Sequence, residues 1–355
     1  MIRSHMDTDW NIVTENQGKF LDFSVNTNPL GIPPQIAQCS KDFVSTFGFY
    51  PDPECQALRK ALSVKYAVPP KFIYCGSGAD DILYRLVFAL HPKRAFVLEP
   101  TFEEYDRALS LAGCEIRHFQ LTEEQSFHLD MEQLLSAIDQ IDILFICNPN
   151  NPTGQLIKHE EMVRLLKKCE NNNVVCVVDE CFMEMLRSWR MLTVKQESKS
   201  YRNLVVVDAF TKTFAIPGLR LGFAVTQNSE LLNSMQTHGQ EFNVSTPAQL
   251  AGLMALSDTQ YMEKTYALIE EECRWLAGCF RELGIHTYPT VANFFLAKSP
   301  VANFNRLLLA RGVKVRDCSN FYGLGDTYCR FAIRRHEENA SLVAVLKSMK
   351  NENIW

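Results

Sequence analysis

The chain of 355 residues lacks several features that would place it in a class at once. No stretch approaches the roughly 18 consecutive apolar residues of a membrane-spanning helix, and residues 1–10 are polar, without the apolar core of a secretory signal. None of the 12 cysteines forms a Cys-x-x-Cys pair, and the closest pairs, Cys176/Cys181 and Cys273/Cys279, do not have the spacing of zinc ligands. Basic charge is not in excess, because 36 Lys and Arg stand against 41 Asp and Glu and give a net charge of −5.

These absences exclude several classes of function. We expect no nucleic-acid partner, no membrane partner and no metal site. The cysteines are expected to be buried free thiols in a cytoplasmic protein, where the environment is reducing. Because the net charge is negative, any anionic ligand must be held by a local site.

The composition that is present is typical of a globular protein, with 46% hydrophobic and 22% charged residues. Short apolar runs alternate with amphipathic stretches between residues 55 and 226. This alternation predicts an α/β fold with a mostly parallel central sheet and helices on both faces. The candidate strands are residues 72–75, 95–98, 143–147, 174–178 and 204–207.

A second, smaller α+β domain is predicted from the rest of the chain. Residues 259–284 have the pattern of one long helix, and two strand-like pieces and a terminal helix from Glu337 follow. The strand-like pieces are residues 293–297 and 330–333. The predicted division is a large domain at 40–245 and a small domain formed by 1–39 and 246–355.

The segment from Asp208 to Gly222 is the first candidate for chemistry. Lys212 follows an apolar strand, and an apolar neighbourhood lowers the pKa of an amine and makes it a nucleophile. Arg220, eight residues on, supplies a permanent bidentate clamp for an anion. A lone lysine after a strand is usually a surface residue, but Thr211 and the Pro-Gly before Arg220 favour a built site.

Two loops and a strand end supply further candidates. At Gly76-Ser-Gly78 a strand ends and a helix begins, and the free backbone amides at the start of a helix bind phosphate. A plain strand-to-helix turn would have the same sequence pattern. The Asn148–Gly154 loop, with two Asn-Pro steps, is either a simple turn or a tightly set binding loop. Asp179 ends an apolar strand and is either a helix cap or a paired, functional carboxylate.

The last candidates are arginines near the C-terminus. Arg330 and Arg334 have the same parity on a strand and so face one side of it. Arg334, at the strand end, could bind a carboxylate through two parallel hydrogen bonds. The alternative is a solvated cluster of charges.

In order and spacing, these motifs resemble the fold-type I pyridoxal-phosphate enzymes, the aminotransferase superfamily, from Asp22 to Arg334. The resemblance implies that Lys212 bonds the cofactor and moves a proton, that Asp179 pairs with the ring nitrogen, and that Asn151 donates to the phenolic oxygen. It also implies a set of further site residues. Tyr105 would stack on the ring, and Arg334 would bind the substrate carboxylate. The cofactor phosphate would be held by Gly78, Ala79, Asp80, Thr211 and Arg220. Tyr50 would reach the phosphate of a neighbouring subunit in a homodimer with shared sites.

Two residues depart from the pattern of that superfamily. Phe182 stands where many members have a tyrosine that bonds the phenolic oxygen, so Asn151 would be the main support of that oxygen. Ala209 stands where relatives often have a serine bonded to the cofactor phosphate. The phosphate would then depend more on Thr211 and Arg220.

Within the superfamily the chain looks closest to threonine-phosphate decarboxylases of the cobalamin pathway, and next to histidinol-phosphate aminotransferases. The string Arg316-Asp-Cys-Ser-Asn-Phe321 and Phe182 favour the decarboxylase. That reading implies loss of CO2 from L-threonine O-3-phosphate through an external aldimine and a quinonoid, giving aminopropanol phosphate. A protein of this fold that binds without catalysing is a remote alternative.

The two reactions differ in which bond at Cα is held perpendicular to the cofactor ring, and therefore in how the substrate is anchored. The substrate phosphate needs a second basic group besides Arg334. The candidates are Arg316, Arg335 and His336, with Asn28 and Ser319 as minor contacts and Arg330 and Lys314 as weaker choices.

Overall fold

The computed structural model describes residues 20–355. The expectation that residues 1–10 contain no secretory signal lies outside the described residues, as does the part of the predicted small domain at residues 1–19.

Thirteen strands lie in the described part of the chain, and they form three sheets. They are β1 Leu21–Asp22, β2 Ile73–Gly76, β3 Arg94–Glu99, β4 Glu115–Gln120, β5 Ile143–Cys147, β6 Val175–Asp179, β7 Leu204–Ala209, β8 Gly222–Val225, β9 His286–Thr287, β10 Phe294–Lys298, β11 Val313–Lys314, β12 Arg316–Asp317 and β13 Tyr328–Ala332.

Fourteen α-helices, several of them a single turn, lie in the same range of 20–355. They are α1 Pro34–Gln38, α2 Ser40–Ser45, α3 Gln56–Tyr66, α4 Gly78–Leu90, α5 Glu104–Leu111, α6 Met131–Ala137, α7 His159–Asn171, α8 Trp189–Leu192, α9 Phe210–Thr213, α10 Ser229–Thr237, α11 Thr246–Ser257, α12 Thr259–Leu283, α13 Phe304–Leu309 and α14 His336–Asn351.

The central sheet has seven strands in the order β2-β8-β7-β6-β5-β3-β4. Strands β3 to β7 pair in parallel, and only β8 runs antiparallel to its neighbours. The apolar runs of β5 and β7 are buried along their whole length, as expected for strands covered by helices on both faces. The predicted mostly parallel α/β sheet is therefore confirmed.

The short strand β8 was not among the predicted strands. It lies between β2 and β7 and pairs with both in the antiparallel direction. Its first residue, Gly222, passes so close to the β2–α4 turn that a Cβ atom there would lie 2.7 Å from the carbonyl carbon of Gly78. This strand thus brings the segment that carries Lys212 beside the Gly-rich turn.

The second region contains a four-stranded antiparallel sheet in the order β12-β13-β10-β9. The long helix α12 and the terminal helix α14 accompany it, close to their predicted positions. Strand β1 pairs in parallel with β11, so the N-terminal strand joins the C-terminal region. The division at residues 40 and 245 stays a prediction.

No helix among residues 20–355 is both long enough and apolar enough to span a membrane.

Candidate active site

The carboxyl end of β6 places Asp179 in the interior. Its Oδ2 accepts a hydrogen bond of 2.7 Å from the Tyr105 hydroxyl, and its Oδ1 accepts one of 2.9 Å from the Cys181 amide. The side chain is buried. Since a buried carboxylate is costly unless its oxygens are bonded, these two donors hold Asp179 in a fixed orientation.

Lys212 lies on α9, directly after β7, at the neighbouring strand end. Burial, followed by the positive charge of Arg330, lowers the pKa of its amine to about 8. Within residues 20–355, no hydrogen bond or ion pair engages its Nζ. The amine is therefore unpaired, and a far larger fraction of it is neutral near physiological pH than in an ordinary lysine, as a nucleophile requires.

The β2–α4 turn forms a cradle for an anion. Gly78 has a φ of +89°, and a Cβ atom there would lie 2.6 Å from Nη2 of Arg220. The amides of Ala79 and Asp80 lie in the first turn of α4, where backbone N–H groups lack partners within the helix. Because position 78 is a glycine, the guanidinium of Arg220 can lie close to the backbone amides at the start of α4.

Arg220 and Thr211 complete this cradle. Nη2 of Arg220 donates a 2.9 Å hydrogen bond to Oδ2 of Asp80, and burial raises the pKa of that carboxyl above its ordinary value. Thr211 is buried one residue before Lys212. The residues present thus fit the phosphate of pyridoxal phosphate, with Lys212 and Asp179 on the adjoining strand ends.

Tyr105 was expected to stack on the cofactor ring, but the structure places it in a different position. Its side chain is 0% exposed, its ring stacks on Phe145 at 5.1 Å, and its hydroxyl is bonded to Asp179. A ring with no open face cannot stack on a cofactor, so Tyr105 orients Asp179 instead. Phe102, which is half-buried and packs edge-on against Tyr105 at 5.6 Å, is the nearby aromatic that sequence reasoning missed.

Arg330, on β13, is the second residue that sequence reasoning undervalued. Its Nη1 donates to Oδ1 of Asn151, its Nη2 donates at 2.8 Å to the Ser24 carbonyl, and its buried Nε has no partner among the described residues. Burial lowers the pKa of this guanidinium to about 10. A buried cation with an unused donor, close enough to lower the pKa of Lys212, is suited to a substrate anion.

Arg334 does not take the place expected for it. Its Nε and Nη2 donate to Oε1 of Glu338 at 3.2 and 3.1 Å, one helical turn along the chain. The two arginines share parity in the sequence, but β13 ends at Ala332 and Arg334 lies beyond it. The structure thus brings Arg330, rather than Arg334, to Lys212 and Asn151.

Asn28, expected as a minor contact of the substrate, supports the lysine loop in this structure. Its Nδ2 donates to the Thr213 carbonyl at 2.8 Å and to Oγ1 of Thr265 at 2.7 Å. Its backbone amide donates to the Lys212 carbonyl at 2.8 Å. Because both amide hydrogens of the buried side chain are used, Asn28 has none left for a ligand.

Arg316 is the basic candidate that lies beside Arg330. The two are directly opposite each other in the β12–β13 pair. Arg316 donates from Nη1 to the Asp317 carbonyl at 2.7 Å and from Nη2 to Oδ1 of Asn320 at 3.0 Å. Ser319 lies exposed on the same loop, where its amide donates to Asp317.

The other two basic candidates are engaged elsewhere. Arg335 donates to the carbonyls of Pro29 and Leu30 at 3.1 and 2.7 Å. His336 bonds Oε1 of Glu272 through Nδ1 at 2.9 Å. Arg316 is therefore the candidate best placed to hold a second anionic group.

The two departures from the superfamily pattern are buried beside these residues. Phe182 packs edge-on against Phe294 at 5.2 Å, and the ring of Phe294 also lies under the guanidinium of Arg330 at 5.3 Å. Ala209 ends β7 with a methyl group where a hydroxyl could have bonded an anion. Because Phe182 and Ala209 have no hydrogen-bonding group in their side chains, Asn151 and Thr211 are the polar side chains left for the phenolic oxygen and the phosphate, respectively.

Tyr50 lies on the surface, away from the residues above. It is 84% exposed, and its ring is 5.0 Å from that of Phe242. Val44, Phe47 and Phe49 are also exposed nearby in sequence. We call this group the Tyr50 patch. An aromatic group of this size on a surface is typical of a protein–protein contact.

Comparison with known proteins matches residues 18–346 to the family of class I and II aminotransferases. The chain is 32% identical over 334 residues to threonine-phosphate decarboxylase of Salmonella typhimurium, which covers 93% of this chain and 91% of that protein. It is 28% identical over 356 residues to histidinol-phosphate aminotransferase of Caldanaerobacter subterraneus, covering 98% of both. Among solved structures, histidinol-phosphate aminotransferase from Clostridium acetobutylicum superposes with a TM-score of 0.87 at 29% identity, covering 93% of this chain and 99% of that one.

Proposed function

The chain belongs to the class I and II aminotransferase family, whose enzymes depend on pyridoxal phosphate, and on that premise we propose that it decarboxylates L-threonine O-3-phosphate. The products are aminopropanol phosphate and CO2. Aminopropanol phosphate is the unit from which the cobalamin side chain is made.

Six groups of this chain would hold the cofactor. Lys212 would bond its aldehyde carbon, Asp179 would keep its ring nitrogen protonated, and Asn151 would bond its phenolic oxygen. The cradle of the β2–α4 turn, with Thr211 and Arg220, would bind its phosphate. When bound, pyridoxal phosphate supplies an electron sink for the electron pair left at Cα.

The observation that carries the proposal is the pair Arg316 and Arg330, opposite each other on β12 and β13. Like charges directly opposite in a sheet destabilise it, so such a pair favours an anion between or beside them. A phosphorylated amino acid has two anionic groups. Arg330, beside Lys212, would take its carboxylate, and Arg316 would take its phosphate.

These two anchors would decide which bond breaks. With the carboxylate on Arg330 and the phosphate on Arg316, rotation about the Cα–N bond is restricted. The Cα–carboxylate bond breaks and CO2 leaves. The electron pair of the broken bond remains at Cα until a proton is added there. Lys212 is the group that would deliver this proton, since its pKa of about 8 allows it to hold and release one near neutral pH.

The alternative is an aminotransferase acting on histidinol phosphate. The superposition with the Clostridium acetobutylicum enzyme supports it, as do relatives with 28–29% identity. The decarboxylase is favoured because two relatives named for it are 32% identical over 93% of the chain.

We further propose a homodimer in the cytoplasm. The Tyr50 patch would be covered by the second subunit, with Tyr50 reaching the cofactor phosphate of that subunit. All 12 cysteines are free, which fits a reducing compartment. Sedimentation should give twice the chain mass of 40.6 kDa, and a monomer at micromolar concentration would contradict the dimer.

The experiment that tests the reaction uses two incubations of the protein loaded with pyridoxal phosphate. L-threonine O-3-phosphate should give CO2 and aminopropanol phosphate, whereas histidinol phosphate with 2-oxoglutarate should give little glutamate. Lys212→Ala should abolish the visible absorbance of the bound cofactor and essentially all turnover. Glutamate without CO2 would support the aminotransferase, and no product with either substrate would support a binding protein.

A further inference from the structure

A fully buried lysine lies behind the site and is not used by the proposed reaction. Lys195 is 0% exposed. Its Nζ lies 2.7 Å from Oε2 of Glu180 and 2.8 Å from Oδ2 of Asp208. Burial disfavours the ammonium, but the carboxylates of Asp208, Glu180 and Glu184 outweigh burial and raise its pKa above the ordinary value, so it is charged.

The two partners of Lys195 flank the two central residues of the site. Glu180 directly follows Asp179 at the end of β6, and Asp208 precedes Lys212 by four residues at the end of β7. The register pairing of β6 and β7 ends at Asp179 and Val207, and one further backbone hydrogen bond of 2.8 Å runs from the Glu180 amide to the Val207 carbonyl. Asp208 and Ala209 pair only with β8, so the side chain of Lys195 supplies the next link between the two segments, from Glu180 to Asp208.

The carboxylates on either side are themselves fixed. Glu180 accepts from the Thr193 hydroxyl at 2.5 Å and from the Val194 amide at 2.7 Å. Oδ1 of Asp208 accepts from the Ala209 amide at 2.7 Å. A movement of Lys195 would therefore be passed to the backbone on both sides.

Two aromatic rings lie beside the ammonium group of Lys195. The rings of Tyr66 and Phe223 lie 4.9 and 5.9 Å from its Nζ. The neighbouring Glu184 is separately paired with Lys65 at 2.7 Å and with Tyr66, so it does not compete for Lys195.

We propose that Lys195 is a positioning residue that fixes the relative placement of Asp179 and Lys212 by joining Glu180 to Asp208. Pyridoxal phosphate must engage both residues at once, on opposite sides of its ring. A looser link between the two strand ends would weaken cofactor binding even where the fold survives. This role is independent of which reaction the enzyme catalyses.

The test measures the dissociation constant of pyridoxal phosphate, by titrating the cofactor-free full-length chain and following visible absorbance. Lys195→Met should weaken binding about tenfold, a loss common for residues that orient a ligand-binding group. Lys199→Met is the matched control, because Lys199 lies on the same short helical turn with an exposed side chain. It should leave the dissociation constant within twofold of the wild type.

A second variant separates positioning from simple charge neutralisation. Lys195→Met leaves Asp208 buried without its cation and lowers stability, whereas the double variant Lys195→Met/Asp208→Asn removes that unpaired charge. The double variant should recover most of the melting temperature and still bind the cofactor about tenfold more weakly. If it recovers both properties, Lys195 only neutralises charge and the proposal is overturned.

A third variant keeps the test decisive if both of these fail to fold. Thr193→Val removes only the hydroxyl that donates to Glu180 and keeps the shape of the side chain. It should weaken cofactor binding about threefold, a loss near the lower end of the range for an ordinary hydrogen bond. An unchanged dissociation constant in Thr193→Val would contradict the proposal. None of these binding measurements requires a substrate, so they would still test the role of Lys195 if the decarboxylase assignment failed.

Discussion

At the residue scale, Arg330 influences the protonation of Lys212. After burial, the guanidinium of Arg330 is the largest influence that lowers the pKa of Lys212 to about 8. A lowered amine pKa means that the neutral nucleophile is present above about pH 8 instead of above about 10.5. The rate at which the cofactor-free chain combines with pyridoxal phosphate should therefore rise through a midpoint near pH 8.

Substitution of the two arginines should separate their roles. Arg330→Gln should move that midpoint upward, because a positive charge beside the amine is lost, and should raise the KM for L-threonine O-3-phosphate by about 10–100-fold, as expected for one lost charged hydrogen-bond partner. Arg334→Gln, which removes a half-buried ion pair with Glu338, is the matched control. It should change both quantities by less than about threefold, because its partner Glu338 lies one helical turn along the same segment and not beside Lys212. The reverse order of effects would restore the carboxylate role predicted for Arg334.

The sequence predicted part of this site and missed the rest for a definite reason. Lys212, Asp179 and Arg220 stand at the ends of apolar runs, so their chain positions already locate them at one edge of the sheet. The orientations of Asn28 and Arg334 depend instead on their hydrogen bonds with Thr265 and Glu338. The local sequence pattern does not indicate which of several possible partners a polar side chain will bond. Tyr105 was placed in the right region but on the wrong side of Asp179.

At the element scale, the predicted strands of the central sheet were found within about two residues of their observed ends, because each is an uninterrupted apolar run. Strand β8 was missed because it follows the lysine loop directly, with no amphipathic helical stretch to separate the two. Its place between β2 and β7 is set by the packing of Gly222 on the β2–α4 turn, a contact between residues far apart in the sequence.

Gly222 should therefore be intolerant of even one methyl group. In Gly222→Ala the added Cβ would meet the backbone of Gly78 at 2.7 Å and of Ala79 at 2.8 Å, which forces the phosphate cradle to move. We expect pyridoxal phosphate to bind at least about tenfold more weakly, since preorganised contacts are lost when the backbone shifts. Gly278→Ala is the control, because nothing lies within 4 Å of a Cβ atom there, inside helix α12. That variant should bind normally and gain up to about 1 kcal/mol of stability, and equal cofactor binding in the two variants would contradict the close-packing explanation.

At the scale of the whole molecule, Glu123 connects the region of the central sheet to the four-stranded sheet. It lies between β4 and α6, and it accepts hydrogen bonds from the hydroxyls of Tyr288 and Tyr328 at 2.6 and 2.7 Å and from Nζ of Lys298 at 2.8 Å. Its bond from Lys298, followed by those from the two tyrosines, lowers its pKa to about 2.

This contact should give the protein a distinctive dependence on acid. Because the folded pKa is below the unfolded one, Glu123 adds stability above about pH 4.5, and that contribution is lost as the pH falls towards 2. Glu123→Gln should lower the melting temperature at pH 7 and have progressively less effect below about pH 4. Thermal unfolding of both chains across this range checks the prediction, and a difference independent of pH would contradict it.

The measurement that tests the assigned reaction most directly is turnover of L-threonine O-3-phosphate in D2O, followed by mass spectrometry and NMR of the products. A decarboxylase keeps the original Cα hydrogen and adds one solvent deuteron where the carboxylate left. We therefore predict aminopropanol phosphate with a single deuterium at that carbon, together with one CO2 for each product, and recovered substrate without deuterium at Cα. Substrate that gains deuterium at Cα without releasing CO2 would show that the Cα–H bond breaks instead, and would contradict the decarboxylase.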